Sequence, residues 1–557
     1  MQTLHEQPHS NYGTLSSKGP GNDVPPIISF RKILENRSWI QPLLVSIAVA
    51  IIITVTLLIS DNRNHIRGNN FSDGVTVPVS ATDLEPLTKP KYHLNQRVDH
   101  FDPTDDRTWS HPYFVSEDYF AGPGSPILVI LGGEGPVKKI LYPFVSKKLA
   151  SVFGAYVLQT EHRFYGASQP IGEDPTTMEM MQLFTPEQAI ADNIQIIQSL
   201  RQDLGCSLSK SSSDYCPVVT IGASYPGFLS AIMRHNFADI IDVGYAASAP
   251  MVLNAHHSNA NTDAYFNHVS TVAETARPGC ARGTWVTLKE LHRYLFEADI
   301  EGITQELGIC HDTIPEYMKS SRSVFAREMS QLVVNINADA NMEYYPPSEN
   351  TLLVKLCKAF TDKATTAQQR YASFLLVIKA TEDYTEANPI RRDCFDLQTQ
   401  LPDGPNATIS SADWTGVGAG QTGSRWGFQV CKDLVIKTGY ADRQHSMFYP
   451  PRKWTLEWLT QHCQNRFGTA LTPEPGRLNK LWNFDNLEGA SRILFTNGNN
   501  DGWSVGSFTQ SSSDSIVVMN FPNGSHHSDL THQWPREDTD DIVQGHAQIV
   551  EVLRNWL

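Results

Sequence analysis

Basic charge is in short supply. Lys and Arg number 44 against 59 Asp and Glu in 557 residues, a formal net charge of -15. A general affinity for nucleic acid needs a basic face, and this balance argues against one. An acidic surface mainly favours solubility. No internal repeat is evident, which sets aside a solenoid or array. Cysteine is sparse, and none of the 8 cysteines stand as C-x-x-C, so a zinc site is not expected; nothing else in the sequence implies a metal. What is present is globular in composition, 40% apolar and 18% charged. The length exceeds one simple domain and suits a large core with an insertion or second domain.

Residues 39–60 (WIQPLLVSIAVAIIITVTLLIS) carry no charge and are long enough to cross a bilayer as a helix. Arg31, Lys32 and Arg37 precede the span; Arg63 and Arg67 follow it. That slight bias favours the N-terminus inside. Too many polar residues precede the span for a cleaved signal peptide, so the expectation is a single-pass type II signal anchor. Residues 1–38 form a disordered cytosolic tail on this reading, and 61–92 a stalk. The ectodomain is then lumenal or extracellular, at the cell surface or in a lysosome or vacuole. All cysteines lie on that side, which fits disulfides. Only Cys206–Cys216, flanking a Ser-rich loop, is expected as a specific pair. Asn70, Asn406 and Asn523 begin glycosylation sequons on the same side; Asn36 would face the cytosol.

The ectodomain opens with apolar runs read as buried strands: Pro126–Leu131, ending in Gly132-Gly133-Glu134-Gly135, then Ala155–Thr160 and Pro217–Ile221. Between the last two, Thr185 is a good N-cap, Pro186 fits the first helical position, and Gln188 completes a capping box. Ile190, Ile194, Ile197, Leu200 and Leu204 supply that helix's apolar stripe. This alternation implies an α/β fold with a mostly parallel sheet. From about 251 to 480 helical patches dominate, such as Trp285–Phe296 and Thr366–Lys379. Strand-like runs resume at Arg492–Thr496 and Ile516–Met519, before a last helix carrying Ile542, Ile549, Val552, Leu553 and Trp556. The expected organisation is an α/β-hydrolase core in two parts, 93–250 and 481–557, around a mainly helical, disulfide-tied cap domain at 251–480.

Ser224 lies in Gly222-Ala223-Ser224-Tyr225-Pro226-Gly227, between a strand and a helix expected over Phe228–Phe237. That is the context of a nucleophile elbow, a sharp turn that exposes the hydroxyl. Strict G-x-S-x-G fails at Pro226, which is tolerable in a first helical turn and is expected to keep Tyr225 extended. Serine needs a base to take its proton and an acid to orient that base. Asp501 follows the strand at 492–496, and His526 the strand at 516–519, in the chain order such folds use. The oxyanion donors would be the N–H of Tyr225 and that of Gly133 or Glu134.

Gln96-Arg97-Val98-Asp99-His100-Phe101, GGEGP, EHRFYG, TPEQAIAD, GASYPG, Trp426-Gly427-Phe428-Gln429-Val430-Cys431, NGNNDGW and GSHHSDL occur in order between about 93 and 557. In these the chain resembles serine peptidase family S28, the family of lysosomal prolyl carboxypeptidase, dipeptidyl peptidase II and thymus-specific serine protease. The resemblance implies an α/β-hydrolase with a helical cap that cleaves peptides near proline from one end, with Ser224, Asp501 and His526 as triad. His527 is the less favoured base. Trp503 matches a family tryptophan and would line the proline pocket. Gly502 departs from the pattern, standing where N-G-x-x-D-P-W has proline. The expected activity is serine-type exopeptidase action on peptide substrates without cofactor. An esterase or lipase on the same fold, a prolyl endopeptidase and a non-catalytic surface binder are the rivals. The direction of attack and the oligomeric state, a homodimer included, are left open.

Overall fold

Strands β3 (Ile127–Ile130), β4 (Tyr156–Thr160), β5 (Val218–Ala223), β6 (Val243–Ala247) and β7 (Ile493–Gly498) are buried along their whole length in the computed structural model. Near-continuous apolar strands of this kind need both faces covered, as in a parallel sheet between helices. The structure describes residues 89–252, 261–362, 365–382, 393–397, 420–485, 487–531 and 538–557. The tail, the span at 39–60, most of the stalk, Asn70 and Asn406 lie outside them. Among the described residues no helix is long and apolar enough to cross a membrane.

Together with β1 (Lys91–Arg97), β2 (Thr108–Ser116) and β8 (Ile516–Phe521), these strands form one mixed sheet in the order β1-β2-β4-β3-β5-β6-β7-β8. β2 runs antiparallel to both neighbours, and the pairs from β4 to β8 are parallel. β3 is followed in sequence by β4 on one side and then by β5 on the other. That reversal opens a crevice beyond the C-terminal ends of β3 and β5, where open α/β sheets bind ligands. β1 begins at Lys91, two residues before the expected start of the core.

Among the described residues no named strand falls between Ala247 and Ile493. Helices occupy this stretch, among them Ala264–Ala276, Cys280–Glu297, Arg322–Met342, Leu352–Thr361 and Ala367–Glu382. Cys206–Cys216 pairs as expected, and Cys280–Cys357, Cys310–Cys394 and Cys431–Cys463 tie the helical stretch. By chain entropy, links spanning 77 and 84 residues stabilise by about 4.5 kcal/mol each.

The helix Pro186–Asp203 starts as expected, with Thr185 Oγ1 accepting from Gln188 N at 3.2 Å. The capping box is only half made. The Gln188 amide is drawn away, donating to Asp99 Oδ1 at 2.6 Å and accepting from His100 N at 3.0 Å. The reason is a buried knot that joins three of the sequence motifs. Arg163, wholly buried, grips Asp192 through Nε at 2.6 Å and Nη2 at 2.7 Å, and donates through Nη1 to Val98 O and Leu183 O. Gln96 and His100 complete the shell of Asp192 at 2.7 and 2.8 Å. Burial alone would raise the Asp192 pKa, but Arg163 and His100 hold it well below the usual carboxylate range. The residues of QRVDHF, EHRFYG and TPEQAIAD that meet in this knot thus fasten β1 and its following turn to the helix.

Candidate active site

β5 ends in Ala223, and the chain turns sharply at Ser224, with φ 60° and ψ -126°. A positive φ is costly for a residue with a Cβ and persists only where the surroundings enforce it. Here Ser224 N donates to Ala247 O at 2.8 Å, and Ser224 O accepts from Phe228 N at 3.0 Å. The turn also requires glycine at 222, where a Cβ would lie 2.0 Å from Pro226 O. The helix begins at Tyr225 and runs to Asn236, so Tyr225 is helical rather than extended, and Pro226 sits in the first turn. Starting the helix immediately after Ser224 outweighs the pre-proline preference for extended backbone.

β7 and β8 deliver the other two candidates past the same edge of the sheet. Asp501 is fully buried; its Oδ1 accepts from Trp503 N at 2.9 Å and its Oδ2 meets His526 Nδ1 at 2.7 Å. His526 is 8% exposed. His527 takes a different direction, its N–H donating to Ser248 Oγ at 2.8 Å, and burial together with the His526 charge drives its pKa well below the usual imidazole value. The Asp501 contact therefore belongs to His526, the first histidine of the pair.

Trp503 is buried, with its ring 4.3 Å from that of Tyr265. It shares a small cavity with Ser224, Tyr225, Pro250, Trp426, Leu434 and Ile436. Trp426 stood out in the sequence only as part of a motif, and nothing in its local pattern tied it to Ser224. It arrives from the helix Gly420–Gln429, whose last residue also reaches the elbow. Gln429 Nε2 donates to the Tyr225 hydroxyl at 3.2 Å, and His162 Nε2 meets the same hydroxyl at 3.0 Å.

The loop after β3 packs directly on the elbow: a Cβ at Gly133 would meet Pro226 Cγ at 2.7 Å. Glu134 keeps some contact with solvent, yet its carboxyl lies deep in the fold. Desolvation pushes its pKa up to about 7, although its own N–H, the His526 charge and the Tyr225 N–H all pull the other way. The Glu134 carboxyl thus neighbours both His526 and the Tyr225 amide, a position the GGEG turn did not announce. Asn523 is exposed, its amide donating to Asp541 Oδ1 at 3.2 Å. Among the described residues no group of three His, Cys, Asp or Glu is placed to hold a metal ion.

The family described as Serine carboxypeptidase S28 matches residues 96–549. The chain belongs to this family. It is therefore a serine-type peptidase. Among S28 relatives it is 24% identical to mouse lysosomal Pro-X carboxypeptidase, over 85% of this chain and 91% of the relative. It is 26% identical to prolyl carboxy peptidase like protein 5 of Caenorhabditis elegans, over 87% and 94%. It is 24% identical to mouse thymus-specific serine protease, over 90% and 94%. The S28 match takes in the strained serine, the Asp501–His526 pair and the intervening helical stretch.

Proposed function

We propose that the protein is a membrane-anchored serine exopeptidase that cleaves peptides beside proline, on an α/β-hydrolase core with a helical cap at 251–480. The observation that carries this reading is the 2.7 Å Asp501–His526 contact, beyond the sheet edge where Ser224 sits strained after β5. His526 Nε2 takes the proton as Ser224 Oγ attacks the peptide carbonyl. Asp501 holds Nδ1–H and steadies the imidazolium. The Tyr225 N–H, with that of Gly133 or Glu134, receives the oxyanion. His526 then gives its proton to the leaving amine, and water releases the acyl-enzyme. The lining beside Ser224, with Trp426, Trp503, Leu434 and Ile436, is apolar and aromatic, a surface of the kind a proline ring packs against. Pro-X carboxypeptidases among the relatives point the same way. Four disulfides support an oxidising compartment, and residues 39–60 would hold the ectodomain there from a cytosolic tail.

The test uses a fluorophosphonate probe and peptides with a proline near one end. Ser224 is expected to be the labelled residue on peptide mapping. Cleavage should be lost when either the C-terminus is amidated or the N-terminus acetylated, and which block works gives the direction of attack. Properly folded protein that stays unlabelled from acid to neutral pH would point to a binding role instead.

Glu134 adds a pH dependence. Its pKa of about 7 leaves the carboxyl neutral in acid and ionised above neutrality. The ionised form competes for the Tyr225 N–H and sets negative charge beside a developing oxyanion. Activity is expected to fall as pH rises through about 7, and Glu134→Gln to remove that limb of the kcat/KM profile. Profiles that coincide above neutrality would deny Glu134 this role.

A further inference from the structure

The helix Arg322–Met342 ends against the two loops that carry Asp501 and His526. The last four carbonyls of a helix have no intrahelical partner, so its end is a natural place to gather donors from elsewhere. Met342 O accepts from His526 N at 3.2 Å, and Asn341 O accepts from Ser525 Oγ at 2.5 Å. The Asn341 side chain, fully buried, faces the other loop. Its Oδ1 accepts from Gly502 N at 2.8 Å and its Nδ2 donates to Asn500 O at 2.8 Å. A backbone N–H calls for the oxygen and a backbone C=O for the nitrogen, so the two partners fix which way the amide points. One carboxamide brackets Asp501 through the residues on either side of it, while the backbone of the same helix end holds His526 and the residue before it.

The bracket also sets what can stand at 502, because it needs a backbone N–H there. Proline has no N–H to give Asn341 Oδ1. Room is short as well: a Cβ at 502 would lie 2.7 Å from Tyr265 Cε2, 2.9 Å from Val269 Cγ2 and 3.1 Å from Asn341 Oδ1. Glycine at 502 thus gives Asn341 Oδ1 its donor and fits the space that Tyr265, Val269 and Asn341 leave.

We infer that Asn341 is a positioning residue for the reaction, setting the Asp501 loop against His526 from the helical insertion. It touches no reacting atom and acts through Asp501. The inference rests on the Ser224–His526–Asp501 reading, and the two fail in different ways. If the unaltered protein is not labelled at Ser224, the triad reading fails first. If it is labelled, Asn341 stands or falls on kinetics per active site.

The variants are Asn341→Leu, which removes both side-chain bonds, and Asn341→Asp, which keeps the acceptor for Gly502 N but puts an acceptor against Asn500 O. Each is purified as the full chain, and its active sites are counted by complete fluorophosphonate titration. A displacement of a catalytic group by about 1 Å costs up to about 100-fold, so kcat per titrated site should fall about 10- to 100-fold in Asn341→Leu. Asn341→Asp should fall less, KM for a short peptide should hold steady, and the labelling rate should drop in parallel with kcat. A merely structural role predicts the opposite pattern: fewer titratable sites, each with unaltered kcat. That result overturns the inference. If Asn341→Leu does not fold, Asn341→Asp decides in the same way, a lowered kcat per site supporting the inference and an unaltered one refuting it.

Discussion

Ser224→Ala is expected to remove covalent labelling completely and to lower kcat by about six orders of magnitude, the loss that follows when an activated serine is deleted. The substitution takes away one oxygen and leaves the backbone as it is. Both hydrogen bonds that hold the strained turn use the main chain of Ser224, its N–H to Ala247 and its C=O from Phe228, so alanine keeps them. Folding should therefore persist, and thermal melting should shift little beside the unaltered protein. Substrate binding should persist too, because alanine keeps all of the Ser224 lining except one oxygen and the remaining cavity walls belong to other residues. The residual rate, about 10³- to 10⁴-fold over water, would come from the oxyanion donors and substrate binding alone. Rates are to be followed with a fluorogenic proline peptide at high enzyme concentration, and activity within tenfold of the unaltered protein would end the assignment of Ser224.

A feature of this fold is legible in the sequence where it is local. β3, β5 and β7 stood out because each is a short apolar run bounded by turn residues, and the structure shifts their ends by only one or two positions. β6 carries no such signal: Val243–Ala247 (VGYAA) is made mostly of small residues and becomes a strand by filling the space between β5 and β7. β1 is a polar edge strand that buries little, and its sequence marks only the opening of a motif. Ser224, Asp501 and His526 could be picked out because each follows a strand, and a parallel sheet collects such positions at one edge.

Other features are set by contacts between distant segments. Three of the four disulfides join cysteines 32 to 84 residues apart, and no spacing rule selects among their pairings. Trp426 reaches the Ser224 cavity, and Asn341 the Asp501 loop, from a helical insertion whose packing has no short-range signature. The Arg163–Asp192 knot shows the converse. Motifs that stood out as sharply as the elbow turn out to stabilise the fold, so prominence in sequence did not separate chemistry from structure.

Asp501→Asn is expected to leave the fold intact and lower kcat by about 10⁴-fold, with KM little changed. Asparagine is nearly the same shape. Its carbonyl oxygen can go on accepting from Trp503 N, the bond that caps the short helical turn Gly502–Gly506. That arrangement directs the amide NH₂ toward His526 Nδ1. A donor there favours the imidazole tautomer with its proton on Nε2, the nitrogen that must accept from Ser224. The base is then present, correctly placed and wrongly protonated, and the full negative charge that steadied the imidazolium is gone. Fluorophosphonate labelling separates this defect from loss of the nucleophile. Asp501→Asn should still label at Ser224, slowly and to completion, whereas Ser224→Ala should never label. Asp501→Ala is the control for geometry: it removes the Trp503 bond as well, so its thermal stability should fall below that of Asp501→Asn. Should Asp501→Asn keep kcat within tenfold of the unaltered protein, Asp501 would be a turn residue at a short helical cap, and the acid that orients His526 would have to be sought elsewhere.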